Sequence, residues 1–250
     1  MEHISMKDIY QGGLVYSTDM MKTIYLTPED SIIFDENKWM YHRMPSLQQW
    51  LSDIDTQLQM HHVQGSHHLS FTFPENIDLN EQFKAEINNR GFELGCLEMY
   101  AIDSNQVQYA EHPDITVKFV SHSEVEDYLK VYQVFAEPFG YTYVQHSSQM
   151  IRNNHDLDHV DRVIAYYNNK PVGILDLIIT SKCVEIDGFG VIPEFQRRGI
   201  GTIMQSFVAD VAQNKIIILV ADGEDTAKDM YVKQGYSYIG FCQQVLKEDV

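Results

Sequence analysis

The segment with the clearest chemical meaning is Pro193-Glu194-Phe195-Gln196-Arg197-Arg198-Gly199-Ile200-Gly201-Thr202, set between an apolar strand-like run, Val184–Val191, and a helix-like one. Glycines there let the backbone approach an anion. The unpaired N–H groups that open a helix point at such an anion, with the helix dipole behind them. A pyrophosphate suits that cradle. The spacing is neither the Walker pattern nor GxGxxG, which argues against ATP and nicotinamide cofactors. Arg197 and Arg198 are the only adjacent basic pair in an acidic chain, and they mark the same place. Just upstream, strand alternation puts Glu185, Asp187 and Phe189 on one face and Val184, Ile186 and Gly188 on the other. Two carboxylates on one face are candidates for proton transfer, with ordinary strand carboxylates as the competing reading. Cys183 has no neighbouring His and reads as an inert, buried thiol. His61-His62 and His67-His68 lack the spacing of a structural zinc set, so they read as solvated pairs and no metal is expected.

The elements that position these residues follow from periodicity. Arg162–Tyr167 and Pro171–Ile179 form a hairpin across Asn168-Asn169-Lys170, and Val184–Val191 is the next strand. Ile203, Phe207, Val208 and Val211 give the following helix its apolar face, ahead of the buried-looking strand Ile216–Val220. Asp225–Gln234 reads as a helix stopped by Gly235, with the last strands in Tyr236–Leu246. Ile115–Val120 is a strand, and a helix from Val125 ends near Pro138-Phe139-Gly140 before a short one over Ser148–Asn153. In the first half, Thr23–Phe34 and Lys38–Arg43 form a hairpin with Asp35-Glu36-Asn37 as its turn. Ser46 and Gln49 form a capping box ahead of Leu47, Trp50, Leu51, Ile54 and Leu58. Leu69–Phe73 alternates as a strand, Leu79–Asn89 is helical up to Gly91, and Phe92–Ile102 is extended. Trp39 and Trp50 are packing residues.

The polar segment Asp103–Asp114 breaks both periodicities and places the domain boundary there, giving 1–112 and 113–250. Glu86–Phe92 echoes Met230–Tyr236, glycine for glycine, which points to a duplicated architecture. The first half, however, has Met44-Pro45 where the second has its glycine-rich loop. Before Pro113 there are 6 basic and 17 acidic residues, and from it onward 12 and 19. Both halves are therefore acidic, which disfavours binding to nucleic acid. Three scattered cysteines without a CxxC fit a reducing cytoplasm, and no leader or membrane-spanning run is expected. The strand Phe241–Leu246 is expected at an edge, where it would support pairing with another chain as a homodimer.

Gln196, Gly199 and Gly201 match Q/R-x-x-G-x-G/A, and Ala227, Tyr231, Lys233, Gly235 and Tyr236 match A-x-x-x-Y-x-K-x-G-F/Y. With both blocks in order, the chain from about Ile115 to its end resembles the GNAT superfamily of acetyl-CoA-dependent N-acetyltransferases. The resemblance implies a mixed α/β sheet of the acyl-CoA N-acyltransferase fold, in tandem with a degenerate N-terminal copy. It also implies a set of roles. Backbone groups of Phe189, Gly190 and Val191 pair with pantetheine amides, and Gln196 with Arg197, Arg198, Gly199, Ile200, Gly201 and Thr202 surrounds the pyrophosphate. Glu185, placed like the strand-four Glu of histone-type members, is the candidate base, and Asp187 is the second base or orients a cationic acceptor. Tyr231 protonates the leaving thiolate. The family often has Asn where this chain has Glu224. Acetyl-CoA and a primary amine are the implied substrates, and a non-catalytic acyl-CoA-binding or interaction module is the alternative.

Overall fold

A computed structural model of the chain describes residues 4–156, 159–223 and 227–250. The first stretch contains β1 (Val15–Thr18), β2 (Lys22–Tyr25), β3 (Trp39–Tyr41), α1 (Leu47–Gln64), β4 (His68–Thr72), α2 (Glu81–Asn89) and β5 (Glu93–Asp103). Next come β6 (Ile115–Phe119), α3 (Val125–Ala136), α4 (Tyr141–Asn154), β7 (Asp161–Tyr167), β8 (Lys170–Ile179) and β9 (Cys183–Val191). The chain finishes with α5 (Ile200–Ala212), β10 (Ile216–Asp222), α6 (Ala227–Lys233) and β11 (Ser237–Glu248). Contacts group these elements into two interleaved units. One comprises 1–99, 221–229 and 238–250, the other 100–220 and 230–237.

In the first unit the strands follow the order β1-β2-β3-β4-β11. Along this order β3 and β4 run parallel and the other neighbours antiparallel. The expected hairpin is present only as β2 against β3. The chain between them folds as two short 3₁₀ turns, Pro28–Asp30 and Phe34–Glu36. Asn37 holds these turns, since its amide donates to the carbonyls of Asp30 and Ile33 while its Oδ1 accepts from the Thr27 N–H. Ser46 caps α1 through the Gln49 N–H, but the Gln49 side chain goes to Asp53 and so leaves the capping box half built. Buried Trp50 sits 5.6–6.2 Å from the rings of Phe71, Phe73, Phe83 and Phe92, an aromatic core on one face of the sheet. β11 is not the edge strand expected from sequence. It lies between β4 and β5, pairing Gln244 with Thr72 and Leu246 with Ser70.

The sequence echo has a structural counterpart. Gly91 (φ 70) and Gly235 (φ 97) both end helices in left-handed backbone. The Phe92 N–H reaches the Ile87 carbonyl, and the Tyr236 N–H the Tyr231 carbonyl, each at 3.0 Å. These are the same helix-stop bonds made twice.

In the second unit the order is β10-β9-β8-β7-β6, with β10 and β9 parallel and the rest antiparallel. Asn168 (φ 49) and Asn169 (φ 63) make the β7–β8 turn, as a two-residue hairpin requires. α3 and α4 cover one sheet face through a cluster of Tyr128, Leu129, Val131, Ile164 and Ile174. α5 covers the other with buried Met204 and Val208. α4 begins at Tyr141, earlier than the expected Ser148. Its first turn exposes Tyr141, so no apolar period announces it.

Candidate active site

β9 and β10 pair in register only from Cys183/Ile216 to Ile186/Leu219. Beyond that point β9 bulges. Asp187 faces Asp176 and Gly190 faces Ile174 on β8, so three steps along β9 answer two on β8, and Gly188 takes φ 55 to absorb the extra residue. The two parallel strands part where the bulge begins. The Ile192 N–H donates to the Val172 carbonyl, so by antiparallel alternation Val191 presents its own N–H and C=O to the opposite edge. That carbonyl accepts from Gln196 Nε2 at 3.0 Å, which ties the following loop to the split.

The bulge also corrects the expected alternation. Glu185 and Asp187 share the face covered by α3, where Tyr128 donates to Asp176 at 2.7 Å. Phe189 is carried to the α5 side, its Cζ lying 3.5 Å from where a Gly201 Cβ would stand. Gly190 faces Ile174 and turns its N–H and C=O into the β8 ladder. Its lack of a side chain is required by Phe135 of α3, since a Cβ would meet that ring at 2.6 Å. The two carboxylates differ in setting. Glu185 is 7% exposed, whereas Asp187 is exposed and its Oδ1 accepts from the Gly188 N–H.

The loop 196–199 turns sharply into α5. Arg197 (φ 60) and Gly199 (φ 80) are both left-handed. α5 has no side-chain cap, and its first internal bond runs from the Ile203 N–H to the Gly199 carbonyl. The N–H groups of Ile200, Gly201 and Thr202 therefore precede the helix's own ladder and suit an anion. Gly201 lies within the helix, where glycine is unfavourable. A Cβ there would make only an ordinary contact with Phe189, so the protein itself does not demand a glycine. A ligand lying on the helix end would. Arg198 is held away from the helix end, its guanidinium 5.2 Å from the Phe195 ring and 5.6 Å from that of Tyr167, with Nη2 donating to the Glu194 carbonyl. Arg197 is exposed beside it.

Tyr231 is buried in α6, 5.7 Å from the ring of Tyr236 in an edge-on arrangement. Gln205 of α5 donates to Gln234 at 2.5 Å and fixes the end of that helix. Burial, with Tyr231 nearby, pushes the Tyr236 hydroxyl well above the usual phenol range. That hydroxyl is buried and has no hydrogen-bond partner among the described residues. The Tyr231–Tyr236 pair, the Phe135–Gly190 contact and the bulge were not foreseen from sequence. The glycines at 188 and 190, two apart in a strand, are the signal that could have shown the bulge. Glu224 lies outside the described residues.

Residues 128–236 match the sequence model of the Acetyltransferase (GNAT) family. This part of the chain is GNAT-like. Residues 4–100 match a domain of unknown function, DUF5613. The chain is 45% identical to a functionally unknown conserved protein from Staphylococcus epidermidis, over 99% of this chain and 98% of that one, with a TM-score of 0.95. A GCN5-related N-acetyltransferase from Kribbella flavida shares the fold at 15% identity and TM-score 0.63, covering 92% and 88% of the two chains. A tandem GNAT protein from the clavulanic acid biosynthesis pathway does so at 8% identity and TM-score 0.54, covering 85% and 75%. Among curated proteins none matches. The fold is a GNAT-like mixed α/β sheet, and no described helix is long and apolar enough to cross a membrane. His61 and His68, expected to be solvated, are buried in the first unit, and the described residues contain no cluster suited to a metal.

Proposed function

We propose that this protein is an acetyl-CoA-dependent N-acetyltransferase acting on a primary amine by direct attack. The observation that carries the reading is the parting of β9 from β10 at Ile186/Leu219, with the uncapped start of α5 following along the same strand. Val191 offers a backbone edge there for the pantetheine arm, beside Phe189, while Gly190 clears the space for Phe135. The N–H groups of Ile200, Gly201 and Thr202, with Gln196, Arg197, Arg198 and Gly199 shaping the turn, hold the pyrophosphate. Bound acetyl-CoA supplies an activated thioester. Glu185 accepts the proton of the incoming amine, the buried Tyr231 hydroxyl donates to the departing sulfur, and Asp187 orients a cationic acceptor or serves as the second base. The unit of residues 100–220 and 230–237 carries the catalysis, in place of the 113–250 expected from sequence, because 238–250 belongs to the first unit. The first unit is a degenerate copy without a phosphate loop.

The test is isothermal titration of the chain with acetyl-CoA, beside an Arg198→Glu/Gly199→Asp double variant checked for folding by circular dichroism. We expect binding that the variant loses. A thiol-release assay over a panel of primary amines follows, with Glu185→Gln and Tyr231→Phe as controls. A folded chain that does not bind acetyl-CoA overturns the reading. Binding without turnover across the panel would make it a non-catalytic acyl-CoA-binding module.

A further inference from the structure

The first unit contains a second built site. Asp19, Met21 and Lys22 from the β1–β2 turn, Tyr41 of β3, and Ser46, Gln49 and Asp53 from the start of α1 line a cavity of about 350 Å³. That is the size range of small-molecule sites. At its base the Asp53 side chain, 6% exposed, accepts at Oδ2 from Lys22 Nζ (2.6 Å) and the Tyr41 hydroxyl (2.7 Å), and at Oδ1 from Gln49 Nε2 (2.9 Å). The Lys22 ammonium also lies over the Trp39 ring at 4.2 Å. Asp19 is tied by its Oδ1 to the N–H groups of Met21 and Lys22. Those bonds hold its carboxyl below the usual range, so it stays charged.

A group-by-group count of what these residues still have to offer defines the ligand. Each carboxylate oxygen accepts about two hydrogen bonds and an ammonium donates three. Asp53 Oδ2 is filled, while Oδ1 keeps one acceptor site. Asp19 Oδ2 and Gln49 Oε1 are unused, and that makes three acceptors, two of them on carboxylates. On the donor side Lys22 Nζ has N–H groups beyond the one given to Asp53. Ser46 Oγ accepts from the Gln49 N–H and keeps its own O–H to donate. The N–H groups of Leu47 and Gln48 begin α1 ahead of its first internal bond, from the Trp50 N–H to the Ser46 carbonyl. Three acceptors beside two side-chain donors match an ammonium next to a carboxylate. Met21 supplies an apolar wall.

We propose that this cavity of the N-terminal unit binds a free α-amino acid, its ammonium on Asp19, Asp53 and Gln49 and its carboxylate on Lys22 and Ser46. The site is independent of acetyl-CoA and of any acetyl transfer. A ligand of one sign alone leaves the opposite half of the cavity unanswered.

The test is titration calorimetry of the full chain, without acetyl-CoA, against each of the twenty common L-amino acids, with acetate and methylammonium as single-charge probes. At least one amino acid is expected to bind saturably and at least tenfold tighter than either probe. Met21→Trp, which fills the cavity mouth without touching the ion pair, is expected to abolish that binding. Lys22→Met is expected to weaken it tenfold or more. Since Lys22→Met breaks a buried pair and can misfold, Met21→Trp carries the decision. Failure of every amino acid to bind, equal binding of acetate or methylammonium, or unchanged binding in Met21→Trp overturns the proposal.

Discussion

Glu185 and Asp187 are two residues apart on one strand face, yet only Glu185 is withdrawn from solvent. A shielded carboxylate can take a proton from an amine without water competing for it, and an exposed one is better placed to guide a cation. Glu185→Gln is therefore expected to lower kcat by about 10²-fold or more, the usual scale of general-base loss, with acetyl-CoA binding unchanged. Asp187→Asn is expected to raise the amine KM with a smaller effect on kcat. Steady-state kinetics on both variants separates these roles. In the first unit, His61 Nδ1 and His68 Nε2 both meet backbone carbonyls, of His68 and Asn37, so both nitrogens donate. Burial pushes His68 down to about 4 and lowers His61 as well. A histidine depressed in the folded state favours folding above its unfolded pKa of about 6.5, and that contribution fades as pH falls toward 4. Chemical denaturation should show the chain losing about 2 kcal/mol from His68 alone between pH 7 and 5, and a His68→Gln variant losing less. Spacing did not reveal this pair. His61 ends up buried because α1 lays that face on β4, a fact of packing that two adjacent His-His doublets do not encode.

At the scale of elements, local chemistry made much of the second unit readable. The Asn168-Asn169 turn requires left-handed backbone, and Gly199 and Gly235 supply it at helix ends, so the hairpin, the α5 start and the α6 stop follow from residue types alone. The β9 bulge did not follow, because alternation is a property of regular strands and Gly188 ends the regularity. β1 was also unreadable, since all four of its residues are exposed and no apolar period exists to find. Gly201 gives the sharpest test at this scale. In an ordinary helix its replacement by alanine stabilises by roughly 0.5–1 kcal/mol, and the nearest described atom outside its own stretch of helix, Phe189 Cζ, stands 3.5 Å from the added methyl. Gly201→Ala is thus expected to raise the melting temperature while weakening acetyl-CoA binding, two readouts of opposite sign. Gly199→Ala, at φ 80, is expected to lower stability by about 1 kcal/mol, measured by the same melts.

At the scale of the whole chain, the polar segment 103–114 pointed to two bodies in tandem, whereas the two compact units interleave. The route between them was hidden, because it depends on strand pairing across long sequence separations. The last strand belongs to the first unit, where Val245 is buried in the core with Phe71 and Trp50. A fragment ending at 112 therefore lacks a central strand of its own sheet. We expect it to be insoluble or unfolded by circular dichroism. Ending the chain after Ser237 should likewise unfold the first unit, not merely trim a tail. The same strand order has a consequence during biosynthesis. β4 is synthesised well ahead of its β11 neighbour, which follows about 10–35 s later at common elongation rates. The first unit's sheet cannot close until β11 emerges, and in that interval β4 shows nascent-chain chaperones an unpaired edge.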